Sequence, residues 1–247
     1  MNFNVLRFDT LASTNDEALR QAKAGASEGL CVIADEQTAG RGRQGREWIS
    51  EKDAGLYLSL VLRPKLETRF GTLITLMAGV AVHATLHGLG LRPDIKWVND
   101  IYIGQKKIAG ILAETTESDR GLVVIVGIGI NTKAGQNEAA TSIETETGRT
   151  ITTTELAGQL LPAVDLFYGV LAGVDGPARI IDEWRARSTY YKDKPVTVWT
   201  ATSTFTGVTD GLEENGALRV RRDDGSISIV QAGDVEMLRS VVPRAAR

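Results

Sequence analysis

The chain has 247 residues, 43% hydrophobic and 24% charged, with a formal net charge of −3. These values describe one or two globular domains and exclude a surface built as a whole to bind nucleic acid. Cys31 is the only cysteine, which excludes an internal disulfide and fits a reducing compartment.

The opening MNFNVLRFDT lacks the apolar core of a signal peptide. No apolar run is expected to approach the ~18 residues of a membrane span. A cytoplasmic protein with no membrane and no DNA partner is therefore expected. Residues 6–9 form a first short strand. Thr14, Asn15, Asp16 and Glu17 have the S/T-x-x-E spacing of a helix-opening capping box. Ala18, Leu19 and Ala22 then supply an apolar stripe, and Gly25 a stop. Ser13 and Thr14 suit capping, ligand contact at a helix N-terminus, or both.

Residues 30–34 read as a buried strand in which Cys31 is a small core residue. It feeds the loop QTAGRGRQGREW, residues 37–48, where glycine and arginine alternate. Glycine lets a ligand approach main-chain N–H groups, and arginine offers a planar donor fork to phosphate or carboxylate. Arg41, Arg43 and Arg46 repel one another, so an anion-gripping lid, mobile until the anion arrives, is expected. An RGG-type RNA-binding segment and a partnerless surface loop are the bland rivals. Leu56, Leu58, Leu60 and Leu62 then alternate with other residues as a strand with one strongly apolar face, ended by Pro64. The loop thus bridges two strands at a sheet end.

Leu73, Leu76, Met77, Val80 and Ala84 recur at helical spacing up to Gly88. His83 and His87 have the spacing of paired zinc ligands, but Ala84 stands where a glutamate base belongs and the chain has no third histidine; no metal site is expected. Residues 95–98 form a strand, Asn99 and Asp100 a turn, and residues 101–114 a hairpin turning at Gly104. Lys107 and Gly110 can flank one small ligand with a charged head and a side-chain-free surface. Residues 122–126 are a buried central strand. The following Gly127-x-Gly129 is not a dinucleotide fingerprint, since Thr132 replaces the third glycine, and no P-loop occurs. Residues 133–150 read as loop. Residues 152–173 read as a helix kinked at Pro162, and Pro177 opens a last helix with Ile180, Ile181 and Trp184. Composition shifts near Ser188. Beyond it, short strands alternate with Asn215-Gly216 and Asp224-Gly225 turns, which predicts a small antiparallel barrel leaning on the main domain. The fold class expected is α+β, with a mixed-sheet catalytic domain over 1–188 and a β domain over 189–247.

The arginine loop resembles the signature loop of the biotin protein ligases. Ser13-Thr14-Asn15, Lys96-Trp97-Val98-Asn99-Asp100, Lys107-Ile108-Ala109-Gly110-Ile111 and Gly127-Ile128-Gly129-Ile130-Asn131 resemble that family's further motifs, in order. Val98 stands where the family usually has proline, so the turn bearing Asn99 and Asp100 is expected to differ slightly. The resemblance implies an SH3-like C-terminal domain and a two-step reaction using ATP and Mg²⁺. Biotin is activated as biotinyl-5′-adenylate and passed to a lysine of a biotin carboxyl carrier protein. It implies biotin contacts from Ser13, Thr14, Asn15, Gln37, Gly40, Arg41, Gly42, Arg43, Lys107 and Gly110. It implies ATP contacts from Arg41, Arg43, Arg46, Trp48, Asn99, Lys107 and Asn131, with Lys107, Arg43 and Asp100 in catalysis. Only twelve residues precede Ser13, which implies a monofunctional ligase; a homodimer is compatible with the family. The rivals are a lipoate-type ligase and a non-catalytic nucleic-acid-binding protein.

Overall fold

The computed structural model describes all residues except 119–120, 136, 201–202, 233–234 and 241–247, and leaves aside the side chains of 118 and 235–240. A seven-stranded mixed sheet runs in the order β1-β2-β3-β7-β6-β5-β4. Its strands are β1 (Asn4–Leu11), β2 (Leu30–Gln37), β3 (Gly55–Leu62), β4 (Pro93–Lys96), β5 (Asp100–Ile103), β6 (Lys106–Ser118) and β7 (Gly121–Asn131). Among the described strands of this sheet only β1 and β2 pair in parallel, joined through helix α1 (Thr14–Lys23). The near-continuous apolar run predicted as central, β7, lies in the middle of the sheet.

Strand alternation divides the core into two faces. Cys31 and Ile33 of β2, the even-numbered leucines of β3, and Val124 and Val126 of β7 point to one side. There they meet α2 (Thr72–Gly88), α4 (Thr153–Ala172) and α5 (Gly176–Arg185). Val32, Val61, Val123 and Ile125 point to the other side and pack on Ala18 and Ala22 of α1. All eight β3 residues are buried: the leucines form the strongly apolar face expected, and the mixed face of Tyr57, Ser59 and Val61 is covered as well. Residues 68–88 reach span length with a mean hydropathy of 1.4, against the expectation that no segment would; most of that window is buried in the main core.

Local details depart from the sequence reading where tertiary contacts outbid capping. Ser13, not Thr14, occupies the N-cap of α1, and it makes no side-chain cap bond. The Thr14 hydroxyl turns to Gln37 and Ser59, and Glu17 turns to Arg20. A short helix, α3 (Ile143–Thr147), interrupts the expected loop, capped by Ser142. Helix α4 opens with a Thr152–Glu155 capping box and runs unbroken past Pro162. The Trp97–Val98 peptide bond is cis.

The C-terminal strands β8 (Lys192–Thr200), β9 (Thr204–Leu212), β10 (Leu218–Arg221), β11 (Ile227–Val230) and β12 (Val235–Ser240) form an antiparallel sheet, ordered β11-β10-β9-β8-β12. Among the described residues β11 and β12 are its two edges and no pairing closes a barrel. Its apolar face, including Val196, Val198, Leu212 and Val220, joins the main core. The Asn215-Gly216 turn docks beside α2 and the β4–β5 turn: the Trp97 indole donates to the Gly216 carbonyl at 3.0 Å. A Cβ on Gly216 would stand 2.9 Å from Leu76.

Candidate active site

Beyond the end of α1, the second face of the sheet changes character. Where β3 and β7 bear Val61 and Ile125, the next residues on that face are Ser59 and Gly127, then Tyr57 and Gly129. Strand β6 sets Leu112 opposite Gly127 and Gly110 opposite Gly129. Three glycines thus leave a side-chain-free floor, and atoms from above descend into it. A Cβ on Gly127 would lie 2.3 Å from Asn15 Oδ1, and one on Gly129 would lie 2.5 Å from the Trp48 indole. The paired glycines of the GIG motif therefore serve close approach from above, not a phosphate turn.

A cavity of about 340 Å³ opens over this floor. One wall is polar. Gln37 Oε1 accepts from the Thr14 amide at 2.8 Å and the Thr14 hydroxyl at 3.0 Å. Ser59, fully buried, lies 2.7 Å from Thr14 Oγ1 and 2.6 Å from Asn15 Oδ1. The opposite wall carries Lys107, whose ammonium is 2.7 Å from Asp100 and 5.1 Å from the Trp48 ring. A second cavity of about 480 Å³, with Lys106, Lys133 and Asn131 in its lining, adjoins the first. Trp48 and Lys107 line both.

The arginine loop forms the lip. The Arg41–Glu47 bridge and the Gly40–Trp48 backbone bond close it into a turn. Its arginines separate to different partners. Arg41 makes a two-pronged pair with Asp16 at 2.6 and 2.7 Å and approaches Glu114 at 3.4 Å. That hydrogen bond holds the Asp16 carboxyl below its ordinary range. Arg43 reaches Asn99 Oδ1 at 3.5 Å and the carbonyl of Ala232, two residues beyond the end of β11. Burial pulls the Arg43 pKa below its ordinary value; Asp100 opposes that shift and Arg46 adds to it. Asn99 is fixed by its own amide bond to the Ile111 carbonyl at 2.9 Å.

The geometry gathers Ser13, Thr14, Asn15, Gln37, Arg41, Gly42, Arg43, Arg46, Trp48, Asn99, Asp100, Lys107 and Gly110 around the first cavity. Two expected contacts stand apart. Gly40 is buried beneath the Trp48 carbonyl and Ser50 and lines neither cavity. Asn131 lines the second, with its amide donating to the Thr141 carbonyl at 3.0 Å. Sequence reasoning missed Ser59, Tyr57 and Glu114. Ser59 had a signal, since it is the single small polar residue in the run Leu56–Leu62. The His83 and His87 rings stack at 6.1 Å, and no group of three potential metal ligands occurs among the described residues.

Fold and site together define a protein with a polar-walled cavity under an arginine lip and a lysine at the junction to a second cavity. The biotin/lipoate A/B protein ligase family model matches residues 7–131, and the biotin protein ligase C-terminal domain model matches 193–238. The chain is 34% identical to the biotin–[acetyl-CoA-carboxylase] ligase of Paracoccus denitrificans, over 90% of this chain and 96% of that protein. It is 33% identical to the bifunctional ligase/repressor BirA of Bacillus subtilis, over 96% of this chain and 75% of that protein. Among solved structures, the Aquifex aeolicus biotin protein ligase in complex with biotin and ATP superposes with a TM-score of 0.82. That pair shares 27% identity and covers 96% and 99% of the two chains. The chain belongs to the biotin protein ligase family.

Proposed function

We propose that this chain activates biotin with ATP and transfers it to a specific lysine of a biotin carboxyl carrier protein. One observation carries the reading: Lys107 and Trp48 stand where two cavities meet, one with a polar wall and a glycine floor, the other flanked by lysines. Biotin fits the first, its neutral ureido ring against Thr14, Asn15 and Gln37 and its carboxylate toward Lys107. ATP fits the second, with Asn131 and Trp48 toward adenine and Arg46 toward the phosphates.

In the first step a biotin carboxylate oxygen attacks the α-phosphorus. The bond to the pyrophosphate oxygen breaks, and pyrophosphate leaves with the electron pair. In the second step a carrier lysine amine, having lost a proton, attacks the acyl carbon; the C–O bond to AMP breaks. Both steps concentrate negative charge at one phosphate, so preplaced cations provide most of the stabilisation. Lys107 is the central cation. Its pairing with Asp100 aims it in the free protein, and Asp100 becomes available to the incoming amine once Lys107 turns to the phosphate. Arg41 and Arg43 complete the clamp, and Gly42 and Gly110 leave room for it. Mg²⁺ bound with ATP would offset the phosphate charge and would be held chiefly by phosphate and water, with the carboxylates of Glu47, Glu51 and Glu138 in the lining of the second cavity.

The chain divides near Ser188, residues 1–188 being catalytic and 189–247 an SH3-like unit that holds Arg43 through Ala232. Biotin-dependent exchange of pyrophosphate with ATP tests the reading. Exchange in the presence of biotin and none in its absence is expected; exchange that ignores biotin refutes it.

A further inference from the structure

The polar wall of the first cavity continues behind Asn15 to a carboxylate that lines neither cavity. Glu114 of β6 accepts a bond from Asn15 Nδ2 at 2.6 Å and lies 3.4 Å from Arg41 Nη2. It touches the recognition segment and the lip at once.

We propose that Glu114 is a positioning residue: it fixes the amide orientation of Asn15 and so keeps the biotin-facing wall short of donors. This rests on the ligase reading above. An ionised carboxylate has no proton to give, so Asn15 must turn its NH₂ toward Glu114 and its oxygen toward Ser59. The Leu112 carbonyl, 3.5 Å from the same nitrogen, favours the same orientation. Three oxygen–oxygen contacts follow in line: Asn15 to Ser59 at 2.6 Å, Ser59 to Thr14 at 2.7 Å and Thr14 to Gln37 at 3.0 Å. Two hydroxyl protons serve three contacts. The Gln37 NH₂ gives one of its two protons to Ser50 at 2.7 Å, and Ser50 passes its own to the Trp48 carbonyl at 3.1 Å, so neither supplies the three contacts. The wall is therefore one donor short, and a ligand N–H offsets the deficit.

Turning the Asn15 amide over would remove that demand. Its NH₂ would donate to Ser59, Ser59 to Thr14 and Thr14 to Gln37, leaving the wall saturated without a ligand. Only the Glu114 charge, facing what would then be an amide oxygen, stands strongly against the turn. The same group discriminates between ligands, since a molecule that offers only acceptors at this end meets an acceptor-rich wall.

The test is a double-mutant cycle on the full chain, read by calorimetric biotin binding and by biotin-dependent pyrophosphate exchange. Glu114→Gln keeps the shape but lets two amides pair in either orientation. It should weaken biotin binding about tenfold or more, with the loss in KM larger than that in kcat. The effect should vanish in an Asn15→Ala background and persist in an Arg41→Ala background. An affinity within twofold of wild type overturns the inference. So does an effect that vanishes with Arg41 instead, which would make Glu114 a tether for the lip. A wild-type chain that binds no biotin overturns the ligase reading, and this inference with it.

Discussion

Replacing Gly127 by alanine asks whether the side-chain-free floor is what admits the Asn15 amide. The added Cβ would lie 2.3 Å from Asn15 Oδ1 and 3.0 Å from its Cγ. Ordinary contact requires the amide to retreat by about 1 Å. Asn15 lies in the first turn of α1, and Gly127 lies in the central strand, paired with Ser59 on one side and Leu112 on the other. Neither backbone yields readily, so the side chain must. Its retreat breaks the 2.6 Å bond from Ser59 and the 2.6 Å bond to Glu114. A neutral bond contributes about 1 kcal/mol and a charge-assisted one about 1.5–3 kcal/mol. Glu114 is partly exposed, which favours the lower end and gives about 2.5 kcal/mol in all. For a chain of this length that corresponds to a melting temperature lower by about 5–10 °C. Because the lost bonds also order the polar wall, biotin affinity should fall about tenfold or more. Calorimetric unfolding of the free protein and biotin titration measure the two effects. A melting temperature and affinity both equal to wild type would mean that Asn15 relaxes elsewhere at no cost, and the floor argument would be refuted.

Gly158→Ala is the matching control: this exposed position inside α4 has nothing within 4 Å of an added Cβ, so the chain should gain about 0.5–1 kcal/mol, read as a higher melting temperature. Lys107→Ala removes the cation at the junction and leaves Asp100 without its ion-pair partner, so biotinyl-adenylate formation should fall by about two orders of magnitude or more, about 3 kcal/mol of barrier; near-normal pyrophosphate exchange would remove Lys107 from the chemistry. His83 is pushed down to about 4, first by burial and then by the Arg187 charge, so it folds neutral. The unfolded chain binds the proton more readily; the stability that His83 contributes is complete above its ordinary value of 6.5 and is lost as pH falls toward 4. His83→Gln should flatten the pH dependence of the melting temperature across that window, and an NMR titration placing the His83 ring near 6.5 would contradict the assignment.

Local patterning was enough to place most strands and helices, the short α3 excepted, and it singled out the arginine loop that forms the lip of the first cavity. A run such as Leu122–Val126 suits the middle of a sheet, and Gly-Arg alternation between two strands suits a loop whose arginines reach oxygen acceptors, as Arg41 reaches Asp16. Those inferences depend on neighbours along the chain. The capping box at Thr14 failed for the complementary reason: its residue types suit a helix start, but the hydroxyl finds Gln37 and Ser59, 23 and 45 residues away, and the tertiary contacts decide where it points. The roles of Ser59, Glu114 and the glycine floor arise from register. Only the pairing of β3, β7 and β6 sets Ser59, Gly127 and Leu112 in one row, and only the approach of α1 over that row brings the Asn15 amide into the space that the missing side chain leaves. Barrel closure of the C-terminal strands likewise depends on how their edges meet, which turn residues and alternation do not encode. Sequence fixes what each segment can bury; packing distant segments together decides which of its polar atoms remain to meet a ligand.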